Sequence, residues 1–181
     1  MDTKCGLRNY QVTLVASLAF LATGCAGTVQ PQFLRPLYGE VLIAESGLEA
    51  SIPSAGMGLR LAGGRMKTYG ADTQPDFTED LTLTITNQGR SEIILNRDSA
   101  LLLYYIAGDP DWVPNPGDST VKRVQRSSLE SEIVLLPGQK TQATFNRGGI
   151  YHCLWLKFLT ENREVRVVIK MQYNKPYQGR T

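Results

Sequence analysis

The chain has 181 residues, of which 42% are hydrophobic and 20% are charged. That length suits one domain with a sizeable core, and the composition is ordinary for a globular protein. The formal net charge is +2, with no run of five like charges and no basic stretch interleaved with aromatic residues. Nucleic-acid binding is therefore not expected.

The amino-terminal segment has the pattern of an export signal. Within residues 12–25, VTLVASLAFLATGC, an apolar run from Val12 to Leu21 follows the basic residues Lys4 and Arg8. The run is only about ten residues long, too short to cross a ~30 Å hydrocarbon core as a helix. Residues 1–24 are therefore predicted to be a signal peptide. Ala22 and Gly24 also fit the small-x-small cleavage site of ordinary secretion, so a soluble exported protein is the alternative.

Residues 21–25, LATGC, resemble the lipobox of bacterial lipoproteins, with Ala22 where that family prefers Leu. The resemblance implies that the Cys25 sulfur carries a diacylglyceryl group, with palmitate-like chains inserted in a membrane. Two or more chains anchor a protein stably. Ala26 follows the cysteine, where Asp commonly retains such proteins in the inner membrane. In a Gram-negative host, the outer membrane is therefore favoured.

The segment after the leader is predicted to be mostly extended. Residues 25–36 contain two prolines and few apolar residues, which predicts a lipidated amino terminus and a flexible tether. Residues 38–44 are predicted to form the first strand. Residues 46–75 are rich in glycine and are predicted to hold one or two short strands among long loops, in an order that the sequence does not specify.

From residue 79 onward, alternating hydrophobic and polar residues predict a series of strands. The last strand has the clearest alternation, with one inward face formed by Val165, Val167, Ile169, Met171 and Tyr173. Pro137 and Gly138 fit the central positions of a type II turn. The predicted strands cover residues 79–86, 92–95, 99–106, 121–126, 132–136, 141–145, 151–159 and 164–173.

No segment after the leader has a helical period, so the predicted fold class is all-β. The strand spacing predicts a single β-sandwich of about 7–9 antiparallel strands over residues 37–173, followed by a polar tail at 174–181. The stretches LTLTITNQGRSEIIL and IVLLPGQKTQATF, followed by a long final hairpin, resemble the immunoglobulin-like domains of bacterial envelope proteins. That resemblance implies a fold and no catalytic residues.

The sequence contains few groups suited to catalysis. His152 is the only histidine, and Cys153 beside it points to the opposite face if both lie on one strand. Cys5 leaves with the leader and Cys25 is used by lipid, so no intramolecular disulfide is expected. We therefore expect no enzyme activity, no cofactor and no zinc site.

The loop at residues 109–118 is the candidate contact surface. Asp109 and Asp111 precede Trp112, and prolines stiffen the loop, so that little entropy is lost when a partner binds. The alternative is that Trp112 caps the end of the sandwich. Calcium is disfavoured because Val113 and Pro114 occupy places where a calcium loop needs other residues, and no metal is expected.

The sequence thus predicts a membrane-anchored envelope lipoprotein that acts as a non-catalytic binding or structural module. Its partner is expected to be another envelope protein or a cell-wall glycan. The alternative function is a carbohydrate- or peptidoglycan-contacting domain that uses the 109–118 loop.

Overall fold

The computed structural model describes residues 27–68, 76–105 and 112–173. These ranges contain fifteen strands and one 3₁₀ turn at Pro53–Ala55. In the same ranges, no helix has the length and hydropathy needed to cross a bilayer. The strands are β1 (Gly27–Val29), β2 (Pro31–Tyr38), β3 (Leu42–Ile43), β4 (Glu49–Ile52), β5 (Met57–Gly63), β6 (Met66–Thr68), β7 (Asp76–Phe77), β8 (Leu81–Asn87), β9 (Ile93–Asn96), β10 (Ala100–Tyr105), β11 (Val121–Arg126), β12 (Glu132–Leu135), β13 (Lys140–Phe145), β14 (Cys153–Thr160) and β15 (Arg163–Tyr173).

The strands form three antiparallel sheets. The large sheet has seven strands, five of them in the order β11-β10-β14-β15-β2, with β9 pairing β14 and β12 pairing β9. The five-stranded sheet has the order β13-β8-β5-β4-β3, and the small sheet has the order β1-β6-β7. The predicted all-β antiparallel sandwich is confirmed.

The described residues hold fifteen strands rather than the predicted seven to nine. The additional strands lie before residue 79. They include strands of only two or three residues, β1, β3, β6 and β7, whose sequences are too short to show a period. In the large sheet, β10 pairs with the first half of β14 and β9 pairs with its last two residues.

The strands predicted after residue 79 are confirmed within a few residues. In β8, buried Leu81, Leu83 and Ile85 alternate with half-buried threonines. The Pro137–Gly138 turn is also present, since the Gln139 N–H donates to the Leu136 carbonyl over 2.9 Å and Gly138 has φ of 81°. A positive φ at that position is the feature that requires glycine in a type II turn.

Hydrophobic residues lie on both faces of the large sheet. The inner face and the five-stranded sheet share the main core, to which Phe145, Phe158 and Ile169 contribute. A second group, named here the outer cluster, lies on the opposite face of the large sheet. Its buried members are Leu101, Leu103, Tyr105, Cys153 and Val168, with half-buried Leu37, Trp112, Val121, Val124 and Trp155 packed against them.

The predicted tether is wrong for residues 27–36, because these residues belong to β1 and β2. β2 pairs along β15, and Phe33 is buried in the main core with 2% exposure. Pro31 and Pro36 lack the backbone N–H that a central strand needs. β2 pairs only with β15 among the described strands, and prolines are tolerated at such an edge.

The glycine-rich segment is also more regular than predicted. β4, β5 and β6 lie within residues 46–68, and β5 is a seven-residue strand paired on both sides. Residues 69–75, which complete the predicted segment, lie outside the described ranges.

Candidate binding groove

A groove of about 550 Å³ crosses the outer face of the large sheet, beside the outer cluster. Its floor is a row of laterally paired residues, one from each of five adjacent strands. The row runs in the order Arg126, Leu101, Trp155, Val168 and Tyr38. Leu101 and Val168 are buried, Trp155 is half-buried, and Tyr38 is 55% exposed. Within the row, solvent therefore reaches the aromatic side chains of Trp155 and Tyr38 and the side chain of Arg126.

The two sides of the groove differ in chemistry. On one side stands the loop segment 113–116, which contributes Val113, Pro114, Asn115 and Pro116. On the other side lie Asp98, Lys157 and Arg166, of which Lys157 and Arg166 are cross-strand partners. A flat apolar floor between a rigid loop and a charged rim is typical of a small-ligand site.

Ion pairs organise the charged side chains. The Arg126 Nε lies 2.9 Å from the Asp98 Oδ1, and the Lys157 Nζ lies 2.9 Å from the Glu164 Oε2. The other oxygen of Glu164 accepts from the Arg166 Nε. The hydrogen bond from Lys157, with a smaller contribution from Arg166, lowers the pKa of Glu164, so this carboxylate is ionised at neutral pH.

The described part of the loop is held by its own polar side chains. The Asn115 Oδ1 accepts from the Gly117 N–H over 3.2 Å. The Asp118 Oδ1 accepts from both the N–H and the hydroxyl of Thr120, each over 2.9 Å. Such bonds to nearby backbone are the usual role of Asn and Asp in turns. They fix the wall of the groove without a ligand.

Among the predicted contact residues, only Trp112 is in the described part of the chain. Its ring packs on Tyr105, with centroids 5.5 Å apart and planes at 41°, and it belongs to the outer cluster. That packing is the arrangement expected of the capping alternative. Asp109 and Asp111 lie outside the described residues, as does the predicted lipidation site Cys25.

His152 and Cys153 are packed into the fold. The His152 ring lies 5.2 Å from the Tyr104 ring and 5.6 Å from the Tyr105 ring. Burial, followed by the charge of Lys170, lowers the pKa of His152. Cys153 is fully buried, and burial raises the pKa of its thiol to about 11. A neutral thiol without access to solvent is a poor nucleophile.

One wall of the groove belongs to the predicted 109–118 loop, but its floor and charged rim are not among the residues predicted from the sequence. The structure places the Trp155 ring half-buried on the outer face. The alternation in β14 indicates this placement. Trp155 shares its face with the charged Lys157, and the opposite face holds the buried residues Leu154, Leu156 and Phe158. The lateral partners could not be found without the strand register.

Two further features are less informative. A second groove of about 420 Å³ lies on the five-stranded sheet near Leu42, and no aromatic side chain is among the described residues that line it. In residues 27–68, 76–105 and 112–173, no group of three or more His, Cys, Asp or Glu side chains is arranged to hold a metal ion.

No family model matches the chain, and neither a curated protein nor a solved structure matches it. Its function is therefore inferred from the leader sequence and from the groove.

Proposed function

We propose that the protein is a membrane-anchored envelope lipoprotein, attached through Cys25, and that it acts as a non-catalytic binding module through the groove on its large sheet. The leader and LATGC support the anchor. The packing of His152 against the Tyr104 and Tyr105 rings and the burial of Cys153 support a role without covalent chemistry.

The observation that carries the binding role is the pair of solvent-accessible aromatic side chains on the floor of the groove. Tyr38 and Trp155 are aromatic, keep access to solvent and lie two strands apart in the same row. Large aromatic side chains dominate the energetics of contact surfaces, and they do so best when the surrounding frame is rigid. Here, the frame is a sheet whose strands β14 and β15 are both paired on two sides.

Anchoring at Cys25 places the domain against the membrane. β1 begins at Gly27, whose lateral partner is Thr68 in the small sheet. The two residues from Cys25 to Gly27 span at most ~7 Å of extended chain. Lipid on Cys25 would therefore hold the small sheet beside the headgroups.

Lipidation is tested by growing cells that express the full chain with labelled palmitate. The wild type is expected to incorporate label and to enter the detergent phase, and Cys25→Ser is expected to do neither. Cys5→Ser and Cys153→Ala are the matched controls, since one residue belongs to the predicted leader and the other is buried, and both are expected to label normally. Normal membrane retention of Cys25→Ser contradicts the anchor.

The groove is tested by photo-crosslinking in intact cells. A p-benzoylphenylalanine side chain replaces Tyr38 in one variant and Arg90, an exposed turn residue away from the groove, in the other. We expect a discrete adduct from position 38 and none from position 90. Equal adducts from both positions, or none from position 38, contradict a binding role for the groove.

A further inference from the structure

The aromatic floor fits the ring of a sugar. A pyranose has a flat face of C–H groups, and such a face buries apolar area well against an indole. Trp155 lies in the middle of the row, with Leu101 and Val168 as its lateral partners. The volume of about 550 Å³ is within the range of small-ligand sites.

The groove is poorly suited to an extended peptide. Peptides that bind sheets usually add a strand at a free edge, through main-chain hydrogen bonds. The three central floor strands, β10, β14 and β15, are each paired on both sides. A ligand at the centre of this floor therefore meets side chains alone, which favours a compact ring over a strand.

The charged rim has a surplus of positive charge. Arg126 is paired with Asp98, but the single carboxylate of Glu164 is shared by Lys157 and Arg166. Three cations therefore face two carboxylates. Lys157 and Arg166 retain donors beyond the single contacts that they make with Glu164, because an ammonium has three N–H groups and a guanidinium has five.

We infer that the groove binds a saccharide that carries a carboxylate, with the sugar ring on Trp155 and the carboxylate at Lys157 and Arg166. This inference rests on the binding role proposed for the same groove. It moves the glycan contact from the predicted 109–118 loop to the floor of the groove, for which the loop supplies a wall.

The test compares two disaccharides that differ by one acidic group. The disaccharide of N-acetylglucosamine and N-acetylmuramic acid carries a lactyl carboxylate, and di-N-acetylchitobiose lacks it. Each is titrated calorimetrically into the protein purified in detergent after expression of the full chain. The acidic disaccharide is expected to bind roughly tenfold more tightly, because a charge-assisted hydrogen bond is worth at least that factor.

Variants test which residues contact the sugar ring and which contact the carboxylate. Trp155→Ala is expected to weaken binding of both disaccharides, and Trp155→Phe, which keeps an aromatic surface, to restore most of it. Lys157→Gln is expected to reduce the preference for the acid, because Arg166 alone then remains at the carboxylate. Arg60→Gln is the matched control, because Arg60 is also an exposed cation paired with a glutamate, but it lies on the five-stranded sheet.

Each contrary outcome has a distinct meaning. Equal affinity for the two disaccharides overturns the acidic ligand, and unchanged affinity in Trp155→Ala overturns the floor as the binding surface. If neither disaccharide binds while position 38 still crosslinks in cells, the ligand is another macromolecule. In that case, the inference fails while the proposed binding function stands.

Discussion

Asn87 provides the sharpest test of the fold, because it connects two turns from inside the protein. Its side chain is fully buried at the end of β8. The amide nitrogen donates to the carbonyl oxygens of Leu135 and Ser91, each over 2.8 Å. The amide oxygen accepts from the Gly89 N–H over 3.0 Å. The side chain therefore satisfies three backbone groups, two in the turn that follows β8 and one, the Leu135 carbonyl, 48 residues away in the sequence.

Asn87→Ala removes all three hydrogen bonds at once. At about 1 kcal/mol for each bond, the loss is about 3 kcal/mol, and the unpaired Leu135 carbonyl adds its own desolvation cost. Asn87→Asp keeps the acceptor for Gly89 but turns a carboxylate toward two carbonyl oxygens, so it is expected to destabilise at least as much. Gln88→Ala changes the adjacent exposed side chain and is expected to cost less than about 0.5 kcal/mol.

The assay is urea unfolding of the full chain in detergent, followed by far-ultraviolet circular dichroism. The Asn87 variants are expected to lower the midpoint without changing the slope, since the area exposed on unfolding stays the same. If Asn87→Ala is as mild as Gln88→Ala, the buried network described for Asn87 is refuted.

Three further predictions use the same assay. Ile169→Ala, in the main core, is expected to cost ~2–5 kcal/mol and Lys170→Ala less than about 1 kcal/mol, and equal costs contradict the register of β15. Gly138→Ala is expected to lower the free energy of unfolding by about 1–2 kcal/mol, because residue 138 has a left-handed backbone conformation. Gly56→Ala is expected to cost more, because its Cβ would lie 2.3 Å from a backbone atom of Gly89. Burial raises the pKa of Tyr173 to about 12. The free energy of unfolding is therefore expected to fall as the pH rises from 10 toward 12. In Tyr173→Phe, this fall is expected to be less steep.

The sequence predicts the second half of the fold because its signals are local. Alternation in β8 and β15 and the Pro137–Gly138 turn depend only on neighbouring residues. The tether prediction failed because prolines indicate either a loop or an edge strand. The pairing of β2 with β15, more than 130 residues away in the chain, decides between these two.

The groove depends on the register between five strands of the large sheet, and this register cannot be deduced from the sequence of any one strand. Tyr38 and Arg126 lie at opposite ends of the row and belong to strands that are far apart in the sequence. One local pattern did indicate the groove: Trp155 and the charged Lys157 share one face of β14. Trp112 was easier to notice because it stands in a polar loop, but the structure packs it against Tyr105.

The most direct test of the groove as the contact surface is hydrogen–deuterium exchange of the anchored protein. Exchange is compared between native envelope and purified protein in detergent, in two exposed loops, residues 112–118 beside the groove and residues 146–150 away from it. We predict slower exchange in the envelope for residues 112–118 and no change for residues 146–150. Equal protection of both loops, or protection of residues 146–150 alone, contradicts the assignment of the groove as the binding surface.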